Sequence, residues 1–473
     1  MTDLPLTQWS AGELAQRIAR REVSPVEATQ AYLERIERYD EQLSAYITLC
    51  PEAALQAARE AEQAVMRQAP LGPLHGVPFG VKDQFHTAGL RTTAGSTILA
   101  DFIPEADATA VARAKAAGAI LLGKLNMTEF AAGLGDRFKY GEPRNPWDLT
   151  RTAAGSSTGS AIAIAASLCA TSLGEDTGGS IRFPAALTGI VGVRPTWGLV
   201  SRHGIIPISW SMDAAGPMTR TVEDAAVLLG VVAGYDPQDP LTAQRPVPDY
   251  VASLQQGVRG LRIGIIHEWM DESWVNPQVT AGVRGAADVL RQLGATVDEV
   301  SLPFLTQIGP AMSVITGAEG YYVARERLRT APQQFGTHLR RRWQAGALVP
   351  APVLLKAQRV RALHRREWLA LFTRCDALIG PTTPEPAEPI SYLTDITSSQ
   401  EAAHRSVWRT SCTMAAALAG TPAMTIPCGF SAEGLPLGLQ IMTRPFEDGL
   451  MFRIGHAYEG ATDWHQRRPA LFP

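Results

Sequence analysis

Apolar positions along the chain follow two rhythms, and their alternation predicts the fold. After Ser24, the residues Tyr32, Leu33, Ile36 and Tyr39 recur at three- and four-residue intervals, which places them on one face of a helix. Ser24, Pro25 and Glu27 mark its start: a hydroxyl can accept from a free N–H, a proline has no N–H to leave unpaired, and a glutamate can close a capping box. Asp107 is placed to cap a helix ending near Gly118, with the strand-like run 119–122 behind it, and Thr221 to cap a helix through 222–232. The runs 261–266 and 295–300 read as strands on either side of another helix. Helical periodicity alternating with short apolar runs predicts an α/β fold whose helices cover a largely buried sheet.

Length and charge narrow the class. A chain of 473 residues is long enough for about three average domains, and the proline-rich stretches 236–248 and 381–389 are candidate loops or boundaries. Basic residues number 43 and acidic residues 46, net −3, so no broad positive field exists to capture nucleic acid or anionic lipid. The expected partner is a small molecule, with no nucleic acid and no membrane; the oligomeric state stays open. Arg340-Arg341-Arg342-Trp343 reads as the solvated face of a helix. The five cysteines are too widely spaced for a zinc knuckle or redox pair and suit a reducing compartment. The opening residues lack the pattern of a secretory signal and the Ala-rich run 161–169 is too short to span a bilayer, so a cytoplasmic protein is expected.

Candidate chemistry concentrates in the Gly/Ser-rich region 155–184. Gly155 to Ser160 does not fit a dinucleotide-binding pattern, and no lysine follows as in a phosphate loop. Gly118 to Lys124 matches the start of such a loop, but Leu125 replaces the hydroxyl residue that would bind magnesium. Thr177-Gly178-Gly179-Ser180 offers consecutive backbone N–H groups beside a hydroxyl, which suits either an oxyanion site or a glycine-rich turn. His267-Glu268 is followed by Asp271 where a zinc motif needs its second histidine. No metal and no organic cofactor is expected.

Ordered blocks then carry a resemblance. Residues 76–83 (Gly-Val-Pro-Phe-Gly-Val-Lys-Asp), 123–130, Asn145-Pro146-Trp147, the two Ser/Gly segments, 189–196, 213–218, 376–378 and 434–440 together resemble the amidase-signature family over most of the chain. The resemblance implies a single large domain, 1–473, with a central mixed β-sheet surrounded by α-helices. Within it, 1–70 would be mainly helical, 70–235 the catalytic core and 250–410 a variable substrate-specificity region. It also implies a serine hydrolase forming an acyl-enzyme: Ser180 as nucleophile, Ser156 held by a cis peptide, Lys82 as proton acceptor. The oxyanion donors would be the N–H groups of Thr177, Gly178, Gly179 and Ser180, braced by Ser157, Asp176 and Arg182. Met127, Phe183 and Trp210 lie in or near blocks that would surround the reacting centre, where they could line an apolar substrate site or simply pack.

The chain departs from the family pattern at Ala154, Thr158 and Glu175, the last standing where a small hydroxyl residue is usual. The favoured reading is a stand-alone hydrolase of amides, with aryl-amide, ester and carbamate substrates all open to it. The alternatives are the glutaminase component of a tRNA-dependent amidotransferase and a catalytically silent binding protein. Residues 410–413 hold no carboxylate to pair with a glutamine ammonium, which argues against the amidotransferase branch.

Overall fold

The computed structural model describes residues 4–132, 138–302, 305–391 and 412–472. Among them, eleven strands form one mixed sheet. In chain order these are β1 (Tyr46–Leu49), β2 (Pro78–Lys82), β3 (Ile120–Leu125), β4 (Thr171–Asp176), β5 (Val191–Arg194) and β6 (Ala214–Thr219). The second part of the chain adds β7 (Arg262–Ile266), β8 (Thr296–Val300), β9 (Ala377–Pro381), β10 (Ala423–Phe430) and β11 (Pro436–Met442). Their spatial order is β1-β3-β2-β4-β6-β5-β10-β11-β9-β7-β8, so β5 and β10, far apart in the chain, are neighbours in one single-domain α/β unit. The central strands β2, β4, β5 and β6 are buried at every position, the signature of a sheet covered on both faces, whereas the edge strand β8 buries only Val297 and Val300.

Local signals placed several elements as expected. Ser24 caps the helix Pro25–Leu43, its Oγ accepting from the N–H of Val26 at 3.0 Å, and Tyr32, Ile36 and Tyr39 face inward. Thr221 caps Val222–Val232 through the N–H of Asp224. β7, the helix Pro277–Gln292 and the parallel β8 form the expected strand-helix-strand unit. Asp107 behaves differently. The helix behind it, Thr109–Ala116, has no side-chain cap, because the Asp107 carboxylate instead accepts from the N–H of Ala88 and from Lys115. Of residues 118–125, Ile120–Leu125 form β3, fully buried, and Lys124 lies against Asp83 at 3.8 Å instead of facing a phosphate.

Candidate active site

The site forms where parallel strands end. β2 and β4 pair with Val81 opposite Leu173, so Lys82, Glu175 and Asp176 emerge at one carboxyl edge of the sheet, the edge at which α/β proteins place their ligands. Ser156 and Ser157 sit immediately before the helix Thr158–Ala165, and the Gly155–Ser156 peptide is cis. Two contacts bind this segment to the next: the N–H of Ser157 donates to the carbonyl of Ser180 at 3.1 Å, and Ser157 Oγ donates to the Glu175 carbonyl at 3.2 Å.

Lys82 is wholly buried. Its Nζ lies 2.8 Å from Ser156 Oγ, 3.2 Å from the Glu175 carbonyl oxygen and 3.3 Å from Glu175 Oε2. These contacts suit both protonation states: an ammonium donates in all three, while a neutral amine donates twice and accepts from the Ser156 hydroxyl. Burial lowers the Lys82 pKa, and the carboxylates of Glu175, Asp213 and Asp176 oppose that shift. Asp83, next in sequence, turns away as strand alternation requires, accepting from the N–H of Thr93 at 2.9 Å.

The loop carrying Ser180 is anchored by charge. Asp176 accepts from the N–H groups of Gly179 (2.8 Å) and Ile181 (3.2 Å) and pairs with Arg182 and Arg194. Thr413 Oγ1 donates to the Gly178 carbonyl at 2.7 Å. A Cβ on Gly178 would meet only the movable end of the Met312 side chain, at 2.2 Å, whereas one on Gly179, whose φ is +131°, would meet Thr413 Oγ1 at 2.3 Å, so Gly179 is the position that requires glycine. The Gly179 N–H is committed to Asp176 and is thereby removed from the expected set of oxyanion donors, leaving Thr177, Gly178 and Ser180.

The other expected site residues divide. Met127 is fully buried, and its carbonyl backs onto Gly95. Phe183, on the helix Arg182–Thr188, packs in a small cluster with Ala154, Leu187 and Leu435. Trp210 is 53% exposed, and its carbonyl accepts from Arg202, so it sits on the surface as a part of the loop before β6. Reasoning from sequence missed Arg194 and Gln440, which join Asp176 and Arg182 in one buried network. An arginine inside a strand was the available signal, since such side chains are rarely buried without a partner.

Arg342 also departs from expectation. It is half-buried between two helices and is not on an open helix face. It donates to the Ala132 carbonyl and to Thr316 Oγ1, both at 3.3 Å, and has no carboxylate partner among the described residues. Thr316 lies one helical turn beyond Met312, the residue that touches Gly178. Close packing at Gly346 against the Gly317 carbonyl holds the two helices Leu305–Thr330 and Thr337–Ala347 in this arrangement.

Known proteins share these features along the whole chain. The sequence profile of the family described as Amidase matches residues 27–452. The chain is 42% identical over an alignment of 504 positions to the A component of the glutamyl-tRNA(Gln) amidotransferase of Chloroflexus aggregans, covering 100% of this chain and 99% of that one. The peptide amidase of Stenotrophomonas maltophilia superposes with a TM-score of 0.85 at 35% identity, covering 98% and 99% of the two chains. A structure from work on a vestigial protein complex and the origins of an s-triazine catabolic enzyme gives 0.89 at 35%, covering 96% and 98%. The expectation of a small-molecule partner with no nucleic acid does not stand, because a relative similar over its full length is one component of an enzyme named for a tRNA. Net charge averages over a whole surface and is blind to a local contact or one made through another protein chain. No helix among the described residues is long and apolar enough to cross a membrane.

Proposed function

This chain belongs to the amidase family, and we propose that it splits the C–N bond of a carboxamide by acyl transfer to Ser180, as the amide-splitting component of an amidotransferase like its Chloroflexus relative. Its working partners would then include a charged tRNA and at least one further protein. The observation that carries the chemistry is the buried Lys82 Nζ held 2.8 Å from Ser156 Oγ beside the Ser180 loop.

In this reading neutral Lys82 takes a proton from Ser156, Ser156 takes one from Ser180, and Ser180 Oγ bonds to the carbonyl carbon. The N–H groups of Thr177, Gly178 and Ser180 meet the oxyanion, each such donor typically contributing about 3 kcal/mol. The proton on Lys82 returns through Ser156 to the amide nitrogen, the C–N bond breaks and ammonia leaves. Water then attacks the acyl-enzyme along the same relay, and Ser180 regains its proton.

Arg342 supports a substrate that bears a carboxylate beside its carboxamide, as glutamine does, because a half-buried guanidinium with no carboxylate partner among the described residues gains from such a partner. A free-standing hydrolase is the second reading, favoured by the absence of a carboxylate from residues 410–413; Thr410 and Ser411 lie outside the described residues.

Ammonia release from glutamine and from carboxamides lacking a carboxylate separates the two. The amidotransferase reading expects preference for glutamine and a KM raised about tenfold or more in Arg342→Gln, with kcat less affected. Preference for the carboxylate-free amide, unchanged by Arg342→Gln, would overturn it. Under either reading Ser180→Ala is inactive and a sulfonyl fluoride leaves one adduct, on the peptide containing Ser180. An adduct elsewhere with Ser180 intact would overturn the acyl-transfer assignment itself.

A further inference from the structure

We propose that Glu175 is a positioning residue for Lys82: with Thr177 and Asp213 it closes a charge-neutral, proton-sharing cluster behind the Ser156 relay and so sets the pH at which Lys82 can act. The inference rests on the reading of Lys82 as proton carrier.

Hydrogen counting carries it. Glu175 Oε2 lies 3.3 Å from Lys82 Nζ, and its Oε1 lies 2.8 Å from Thr177 Oγ1, which in turn lies 2.7 Å from Asp213 Oδ1. A hydroxyl has one proton to donate, so it can serve only one of these two carboxylates. The other short oxygen–oxygen contact needs a proton belonging to the carboxyl itself. Asp213 is the better holder, because its Oδ2 already accepts from the N–H groups of Ile208 (2.9 Å) and Ser209 (3.0 Å) while Oδ1 faces Thr177. Thr177 is then free to donate to Glu175. In keeping with this, burial and then the nearby Glu175 charge push the Asp213 carboxyl up to about 8.

The consequence for Lys82 is that its ammonium meets the Glu175 carboxylate, and the two charges sum to zero, so neither stands isolated in the closed site. The same carboxylate opposes loss of the Lys82 proton and so raises the pH at which the amine is free to act. When the amine then takes the serine proton, its positive charge appears as the oxyanion's negative charge does. The other charged groups facing the cluster have partners of their own: Asp176 with Arg182 and Arg194, and Glu319 with Ser209 and Ser211, beside Arg361.

The test is the rate of Ser180 modification by phenylmethanesulfonyl fluoride as a function of pH, read by mass spectrometry, which needs no natural substrate. Glu175→Gln keeps size and hydrogen bonding but holds no charge and takes no proton. Loss of the opposing carboxylate lets burial act on Lys82, so the acidic limb should move to lower pH by about one unit or more. Asp213→Asn can accept from Ile208 and Ser209 through its oxygen and donate to Thr177 through its nitrogen, as the protonated acid does, so it should recover most of the rate lost in Asp213→Ala. That comparison stands even if Glu175→Gln fails to fold. An unshifted limb in folded Glu175→Gln, or equal rates for the two Asp213 variants, would overturn the proposal while leaving labelling at Ser180 intact. Wild-type labelling away from Ser180 would overturn the acyl-transfer reading and this inference with it.

Discussion

Arg182 grips Asp176 through two parallel hydrogen bonds, Nε to Oδ2 and Nη2 to Oδ1, each 3.0 Å, with neither side chain exposed. Burial alone would raise the Asp176 pKa, but the Arg182 charge and its hydrogen bonds, with Arg194, hold the carboxyl well below the usual carboxylate range. Because the same carboxylate accepts from Gly179 and Ile181, the pair couples stability to the shape of the Ser180 loop.

Asp176→Asn should leave two buried guanidinium groups without a counter-charge, a loss on the order of 3–5 kcal/mol. Urea unfolding at neutral pH should show it, together with slower sulfonyl fluoride labelling. The folded pKa is depressed, so the stabilisation is complete above the ordinary carboxylate pKa of about 4 and is lost as pH falls below it. The variant should therefore approach the wild type in stability only in acid; equal stability at neutral pH would show the pair to be dispensable.

Lys82 should confer a rate that rises with pH through an apparent pKa well below the value of about 10.4 for a free lysine and then reaches a plateau. Lys82→Ala should remove both the activity and that ionisation. Lys82→Arg should not rescue, since a guanidinium stays protonated and cannot take the Ser156 proton. Near-normal turnover in Lys82→Arg would end the general-base assignment.

Gly179→Ala should slow Ser180 labelling strongly while the protein remains folded. The new methyl group would meet Thr413 Oγ1 at 2.3 Å, and the φ of +131° is one that side-chain-bearing residues rarely adopt, at a cost on the order of 1–3 kcal/mol. Adding Thr413→Ala should recover part of the rate, since it removes the collision and not the backbone penalty. A wild-type labelling rate in Gly179→Ala would show that the loop is set elsewhere.

Glu459 offers a test of stability away from the site. Its two carboxylate oxygens accept from the N–H of Val222 at 3.1 and 3.2 Å, and burial pushes its pKa up to about 8. A raised folded pKa means stabilisation that is full below the unfolded value and is lost as pH rises through the folded one. Glu459→Gln can keep an acceptor and never ionises. Its unfolding free energy relative to wild type should improve from about pH 5 and level off above about pH 8, and parallel curves would remove Glu459 from the account.

Signals carried by neighbouring residues were legible without the structure. Ser24 and Thr221 cap their helices because a cap needs only a hydroxyl two or three positions before a free N–H. Asp107 failed by the same logic, since Ala88, distant in sequence, competes for its carboxylate. The ordered blocks also singled out Lys82, Ser156 and Ser180, and the fold brings Lys82 and Ser156 into contact at the end of β2.

What the sequence determined by itself was the alternating α/β plan, the family and the residue types available for acyl transfer. What only the tertiary structure decided was which buried charges meet. Glu175 reaches Lys82 across 93 positions because two parallel strands align Val81 with Leu173, and Asp213 joins them through Thr177 at the start of β6. Arg342 looked like one of a solvated basic run until two helices packed through Gly317 and Gly346 and enclosed it. The physical reason is that charge interactions depend on separation and on exclusion of water, and both are set by strand register and helix packing between segments far apart in the chain.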